Sequence, residues 1–142
     1  MTAPGFVAAA ALGLSLAASA GVPATQAAGA GPSGYQGTWV LDGRDCADVF
    51  SSSGKGASYK KPVDIFAPAF IISGTRLRTP MATCRIVSVR PTGDRQRLVL
   101  DCANAVAAQE VRVYMKPQAN GFLTRYYNEQ DPTGTGYRRC SP

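Results

Sequence analysis

CRIVSVRPTGDRQRLVLDC, residues 84–102, is the stretch that decides the fold, because two apolar runs flank the turn signal Pro91-Thr92-Gly93-Asp94. A turn centred on Gly93 places Cys84 directly opposite Cys102. Opposed Cβ atoms in an antiparallel pair lie about 4.5–5.5 Å apart, and the closer pairs approach the roughly 3.5–4.5 Å that a disulfide needs. We therefore predict a hairpin closed by a Cys84–Cys102 bridge. The same register yields three further matched pairs: Arg85 with Asp101, Ile86 with Leu100, and Val87 with Val99.

The remaining cysteines, Cys46 and Cys140, are predicted to form a second bridge between the two ends of the domain. No CxxC pair occurs, and the spacing of the four cysteines fits no zinc or cluster module. The chain also contains no His, the usual base partner of a catalytic cysteine. The cysteines are interpreted as structural, and no metal site is expected.

Short strands separated by turn residues continue on both sides of the hairpin. Without βαβ spacing, this pattern predicts an all-β domain, either a small antiparallel β-barrel or a sandwich, with two disulfides. Cys102–Gln109 is predicted as a helix or a loop, and Ser51–Lys61 as a mobile surface loop. The predicted strands are Gln36–Leu41, Val63–Ile72, Cys84–Val89, Leu98–Cys102, Glu110–Met115, Phe122–Asn128 and Tyr137–Cys140.

The N-terminus is typical of an exported chain. Phe6–Ala18 is an apolar run that is too short to span a bilayer but fits a signal peptide, although no Lys or Arg precedes it; the alternative is a buried helix of the mature fold. We predict a signal peptide at 1–28 with cleavage between Ala20 and Ala30, a flexible lead at 29–35 and a single domain at 36–142. The mature protein is then periplasmic or secreted, with no transmembrane anchor.

The formal net charge is +6, and all of it lies after the predicted signal. A basic exported domain is expected to bind an anionic envelope component or a partner protein, and nucleic acid is an unexpected partner outside the cell. The alternative is that the charge only maintains solubility. The candidate binding surface consists of Lys55, Lys60, Lys61, Arg76, Arg78, Arg138 and Arg139.

No catalytic constellation is evident. The absence of His removes Ser-His-Asp hydrolysis and most metal-assisted hydrolysis. Asp42, Asp45 and Asp48 lie close together, but carboxylates in a loop after a strand are usually turn and cap residues. The chain is predicted to be non-enzymatic and to need no cofactor.

Gly37-Thr38-Trp39, in the first predicted strand, resembles the G-x-W signature of lipocalins, avidins and other calycin barrels. The resemblance implies a calycin-like barrel of about seven or eight strands, with Trp39 packed at one end. It also implies that a basic residue of the last strands, Arg125, Arg138 or Arg139, covers the indole. An exposed Trp39 acting as a binding anchor is the competing hypothesis.

The layout is also similar to the bacterial inhibitors of secreted metalloproteases, although those have one cysteine pair and this chain has two. That resemblance implies that Ala28–Tyr35 enters a protease cleft. The main hypothesis is an exported binding module of the cell envelope that recognises a protein or a small ligand. Its alternatives are an inhibitor of a secreted hydrolase and a structural accessory subunit of an envelope complex. A hollow apolar barrel would favour a small ligand, and a filled barrel would favour inhibition.

Overall fold

The computed structural model describes Gly5, residues 32–51 and residues 57–141, and these residues form a closed antiparallel barrel of eight strands. Three predicted features lie outside the described residues: the signal peptide except for Gly5, its cleavage site, and Lys55. Each strand pairs with its neighbour in the chain, and the first pairs with the last. This confirms the predicted all-β class and, of its two alternatives, the barrel. The strands are β1 Gly37–Leu41, β2 Ala69–Ser73, β3 Arg76–Arg78, β4 Thr83–Thr92, β5 Arg95–Ala103, β6 Ala108–Pro117, β7 Phe122–Tyr126 and β8 Thr135–Ser141.

The β4–β5 hairpin keeps the predicted register at its cysteine end, where Cys84 pairs with Cys102. The predicted pairs of Arg85 with Asp101 and of Ile86 with Leu100 are also confirmed. The Val87–Val99 pair is wrong, because a bulge lets Ser88 take the place opposite Val99. The turn is centred between Gly93 and Asp94 and not on Gly93, and the extra residue in the bulge compensates for this offset. Gly93 has the positive φ of 60° that the first central position of a type II′ turn requires.

Both disulfides join the predicted partners. Cys84 and Cys102 are bridged across the hairpin with their Cα atoms 4.0 Å apart. Cys46 and Cys140 are bridged with a Cα separation of 5.7 Å, which ties the segment after β1 to the last strand.

Two predicted elements differ from the structure at least in part, although the loop alternative at Cys102–Gln109 holds for residues 104–107. Residues 102–109 form no helix: β5 runs to Ala103, β6 starts at Ala108, and Ala103 and Ala108 pair with each other across the turn. The strand ladder thus outweighs the helix propensity of the alanines. The strand predicted at Val63–Ile72 is shorter and covers only Ala69–Ser73, since residues before it form a turn.

Two short elements escaped the sequence reasoning. β3, Arg76–Arg78, has only three residues and too little alternation to be recognised. The helix α1, Cys46–Val49, begins after Asp45, whose carboxylate accepts the backbone N–H of Ala47 at 2.9 Å. Asp45 is therefore a helix cap, in agreement with the interpretation of that acidic cluster.

Alternate strand residues point into the barrel and form the main core. The segment between β1 and β2 packs a second, smaller core on the outer face of those strands, around Val40, Ile71 and Phe50. Tyr59 anchors this segment, because its hydroxyl donates to the carbonyl of Arg78 at 2.8 Å; the mobile loop predicted here is therefore attached at residues 57–60. The buried residues of the main core are Tyr35, Trp39, Phe70, Ile72, Leu77, Cys84, Ile86, Leu98, Leu100, Val113, Met115, Leu123 and Tyr137.

A candidate ligand cavity in the barrel

The barrel interior is not completely filled, and one end contains a cavity of about 380 Å³. Its wall is mostly apolar and includes Leu100, Val111, Val113 and Met115, as well as the Cys84–Cys102 bridge. The volume lies within the roughly 300–1,000 Å³ range of small-molecule sites, which are typically apolar with a few polar groups. We call the end at which this cavity opens the open end.

Three turns surround the open end, and each is stabilised by a side-chain oxygen at its first residue. In each turn, this oxygen accepts the backbone N–H of the residue two positions later, as in Asx and related turns. Local hydrogen bonds therefore help to hold each of the three turns. The backbone N–H donors and side-chain oxygen acceptors are Phe66 and Asp64 at 2.9 Å, Met81 and Thr79 at 3.3 Å, and Val106 and Asn104 at 2.8 Å.

The tips of these turns are apolar and exposed. Phe66 is 82% exposed, Met81 58% and Val106 93%. Phe66 and Met81 line the cavity, and Val106 precedes Ala107, which also lines it. The mouth of the cavity is therefore apolar and accessible to solvent.

The opposite end, which we call the closed end, is filled by aromatic packing. Trp39 is buried, and its indole Nε1 donates to the carbonyl of Tyr35 at 2.8 Å. The guanidinium of Arg139 lies 4.8 Å from the centre of the indole ring, and its Nη2 donates to the carbonyl of Gly34 at 3.3 Å. Of the three arginines considered from the sequence, Arg139 is therefore the one that covers Trp39.

Tyr35 completes the closed end. Its hydroxyl donates to the side-chain carbonyl of Gln96, and burial raises the pKa of this hydroxyl to about 12. The preceding chain is attached as well, since Gln36 Nε2 donates to the carbonyls of Pro32 at 3.2 Å and Gly74 at 3.0 Å. Residues 32–35 of the predicted flexible lead thus pack on the barrel, whereas residues 29–31 lie outside the described residues.

Arg125 lies at the open end and not against Trp39. It points inward because it follows the core residue Leu123 by two positions, and it lines the cavity. It pairs with Thr135 at the limit of the β7–β8 ladder, beside the loop that joins these strands. Among the described residues that line the cavity, Arg125 alone carries a charge.

The predicted basic surface divides into two groups. Arg78 and Arg138 donate to the backbone carbonyls of Ala57 and Arg44, each at 2.7 Å, and Arg139 covers the closed end. These three arginines therefore hold chain segments together. The exposed members are Lys60, Lys61 and Arg76, and Lys55 lies outside the described residues.

Structural contacts also perturb other titratable groups, including Asp131 and Tyr59. The pKa of Asp131 is lowered because its carboxylate accepts the backbone N–H groups of Tyr127, Gly134 and Thr133, within the loop after β7. Burial raises the pKa of Tyr59, and the neighbouring Arg78 partly opposes this shift. Neither residue lines the cavity. In the part of the chain that the structure describes, no three Cys, Asp or Glu side chains converge on a common point that could hold a metal ion.

The sequence reasoning missed the apolar mouth. The strand predicted at Val63–Ile72 concealed the turn at Asp64, and the helix or loop predicted at Cys102–Gln109 did not locate the turn at Asn104. A usable signal was nevertheless present. Asp64, Thr79 and Asn104 are each followed two positions later by a large apolar residue, a spacing that suits a turn with an apolar tip.

Fold and cavity together define an eight-stranded antiparallel barrel with an apolar interior that opens at one end. Comparison with protein-family models, with curated proteins and with solved structures found no match to this chain. Across the described residues, no helix combines the length and the apolar character required to cross a membrane.

Proposed function

We propose that this chain is an exported binding protein that holds a small apolar ligand inside its barrel. The observation that carries the proposal is the cavity of about 380 Å³, which is lined mainly by apolar side chains and open at one end. Burial of apolar ligand surface there would contribute roughly 25 cal/mol for each Å² removed from water. Phe66 and Met81 are exposed and line the cavity, so they offer an apolar ligand apolar surface at its mouth.

Export is the second part of the proposal. The apolar run Phe6–Ala18 and the small residues that follow it support a cleaved signal peptide. The two disulfides support an oxidising compartment such as the periplasm or the exterior of the cell.

The resemblance to calycins is the third part. Several features support it: a closed antiparallel barrel whose consecutive strands are neighbours, Gly37-Thr38-Trp39 in the first strand, and a cation of the last strand over the indole. In this proposal Trp39 and Arg139 close one end of the barrel, so that ligand enters only from the other end.

The alternative functions receive less support from the described residues. An inhibitor that acts through its N-terminal lead needs a segment free to enter a cleft, but Pro32–Tyr35 is bonded to the barrel through Gln36 and Arg139. An accessory subunit that docks through a basic face would use the exposed Lys60, Lys61 and Arg76, because Arg78 and Arg138 donate to backbone carbonyls. The basic surface is therefore smaller than the sequence predicts.

The test is binding of the neutral fluorescent probe N-phenyl-1-naphthylamine to the purified, oxidised protein, compared between two matched variants. Val111→Phe adds volume to the cavity wall, whereas Val99→Phe makes the same change on the outer face of the adjacent strand. Both valines are partly buried, so the two variants carry a similar folding risk.

We expect saturable binding by the wild type, binding weakened about tenfold or more in Val111→Phe, and nearly wild-type binding in Val99→Phe. Absence of saturable binding by the wild type would contradict the proposal. Equal affinities of the wild type and Val111→Phe would also contradict it, because the probe would then bind outside the cavity.

A further inference from the structure

Arg125 is an exposed charged side chain at the mouth of a cavity whose wall is mostly apolar. The other polar lining residues are neutral, and Asn104 already uses its side-chain oxygen to accept the N–H groups of Val106 and Ala107, each at 2.8 Å. Arg125 is exposed at the mouth, so water can hydrate its guanidinium, and an anionic group that enters the mouth would replace that water.

The protein supplies Arg125 with no such partner in the described part of the chain. No hydrogen bond or ion pair to its guanidinium occurs there, whereas the inward-facing Arg139 is bonded to Gly34 and stacked on Trp39. The ion pairs among the described residues involve other cations, such as Arg85 with Asp101 at 2.8 Å. The guanidinium therefore keeps its donors available at the mouth of the cavity.

A second donor lies nearby on β8. Tyr137 lines the same cavity and pairs with Leu123, two residues before Arg125. Its ring packs against Phe70, and its hydroxyl makes no hydrogen bond within the described residues. Inward residues at this diagonal spacing lie about 7–8 Å apart, within the joint reach of long side chains.

We propose that the ligand is an amphiphile with one anionic group, whose apolar part fills the cavity while its anionic group pairs with Arg125. The proposal rests on the ligand-binding function proposed above and adds the chemical class of the ligand. A guanidinium matches carboxylate and phosphate oxygens through paired N–H donors, so a fatty carboxylate and a phosphate monoester share the required chemistry.

The experiment measures, by calorimetry, the binding of three probes with the same tail: decanoate, decanol and decyltrimethylammonium. Each is titrated at low salt into the wild type, Arg125→Met, Arg125→Lys and Arg90→Met. Arg90→Met is the matched control, because it removes the same charge from an exposed site outside the cavity lining. The affinity for decanol shows whether each variant retains the folded cavity.

In the wild type we expect decanoate to bind about threefold to fivefold more tightly than decanol, and decyltrimethylammonium to bind most weakly. Arg125→Met should abolish the preference for decanoate over decanol, whereas Arg125→Lys and Arg90→Met should retain most of it. The preference should decrease as salt is added, since the pair is near the surface.

Equal affinity of the wild type for decanoate and decanol would overturn the anionic-ligand proposal and leave the apolar cavity function intact. A preference for decanoate that persists in Arg125→Met would likewise overturn it, because a group other than Arg125 would then bind the carboxylate. Failure of all three probes to bind, together with failure of N-phenyl-1-naphthylamine, would overturn the proposed function itself.

Discussion

The two ends of the barrel are built from similar residues but differ in how these residues are used. At the closed end, Arg139 covers Trp39 and bonds to Gly34. At the open end, Arg125 also points inward from a neighbouring strand, yet it contacts a cavity and not an aromatic ring. The difference shows that residue type and strand position do not determine the role of an inward arginine. The neighbouring side chains decide whether it completes the core or remains available to a ligand.

The disulfides extend this comparison, since Cys46–Cys140 holds the strand that carries Arg139 and Cys84–Cys102 lies in the cavity wall. We expect replacement of Cys46 and Cys140 by Ala to lower the free energy of unfolding by about 4–5 kcal/mol, against about 3 kcal/mol for Cys84 and Cys102, because the first bridge closes the longer loop. Chemical denaturation of the two double variants measures both losses. A larger loss from the Cys84–Cys102 pair would contradict the chain-entropy argument.

The two ends should also differ in the loss of stability when an aromatic side chain is removed. Trp39→Ala should cost about 3–5 kcal/mol in unfolding free energy, since it empties a fully buried site. Phe66→Ala, at the apolar mouth, should change stability by less than about 0.5 kcal/mol, because the ring is 82% exposed. Thermal and urea unfolding followed by circular dichroism tests both variants. Comparable costs would mean that Phe66 belongs to the core.

The smallest difference in unfolding free energy is expected between variants of the two inward arginines. Arg139→Ala should cost about 1 kcal/mol through lost packing on the indole, and should make Trp39 fluorescence easier to quench with acrylamide. Arg125→Ala should cost less than about 0.5 kcal/mol and leave quenching unchanged, since no described residue depends on it. If Arg125→Ala proved as costly as Arg139→Ala, Arg125 would have a structural role and would not be available to a ligand.

The cysteine pairing and the buried Trp39 were easier to predict from sequence than the mouth of the cavity, for physical reasons. The cysteine register follows from the two-residue period of strands, and the bulge at Val87 happened to restore it despite an offset turn centre. Burial of Trp39 follows from its position in the Gly37-Thr38-Trp39 motif of the first strand, which resembles that of calycin barrels. The choice of Arg139 over Arg125 could not be predicted, because it depends on the β1–β8 register, in which Trp39 lies opposite Arg139.

The open end depends on turn chemistry, which sequence periodicity represents poorly. The turn at Asp64 lies within an apolar run that resembles one long strand, and the turn at Asn104 lies within an alanine-rich run that resembles a helix. The empty volume itself was not predictable, since it is what remains after the inward side chains of all eight strands have been placed.

Methionine-methyl NMR tests the central claim most directly, because the chain has three methionines. Export as proposed would remove Met1 with the signal peptide, whereas Met81 lies at the cavity mouth and Met115 lies in the cavity wall. When N-phenyl-1-naphthylamine is added to protein labelled at these methyl groups, both Met81 and Met115 should shift with one common affinity, and the Trp39 indole signal should not shift. A shift of Met81 alone, or of neither methionine, would contradict a ligand cavity inside the barrel.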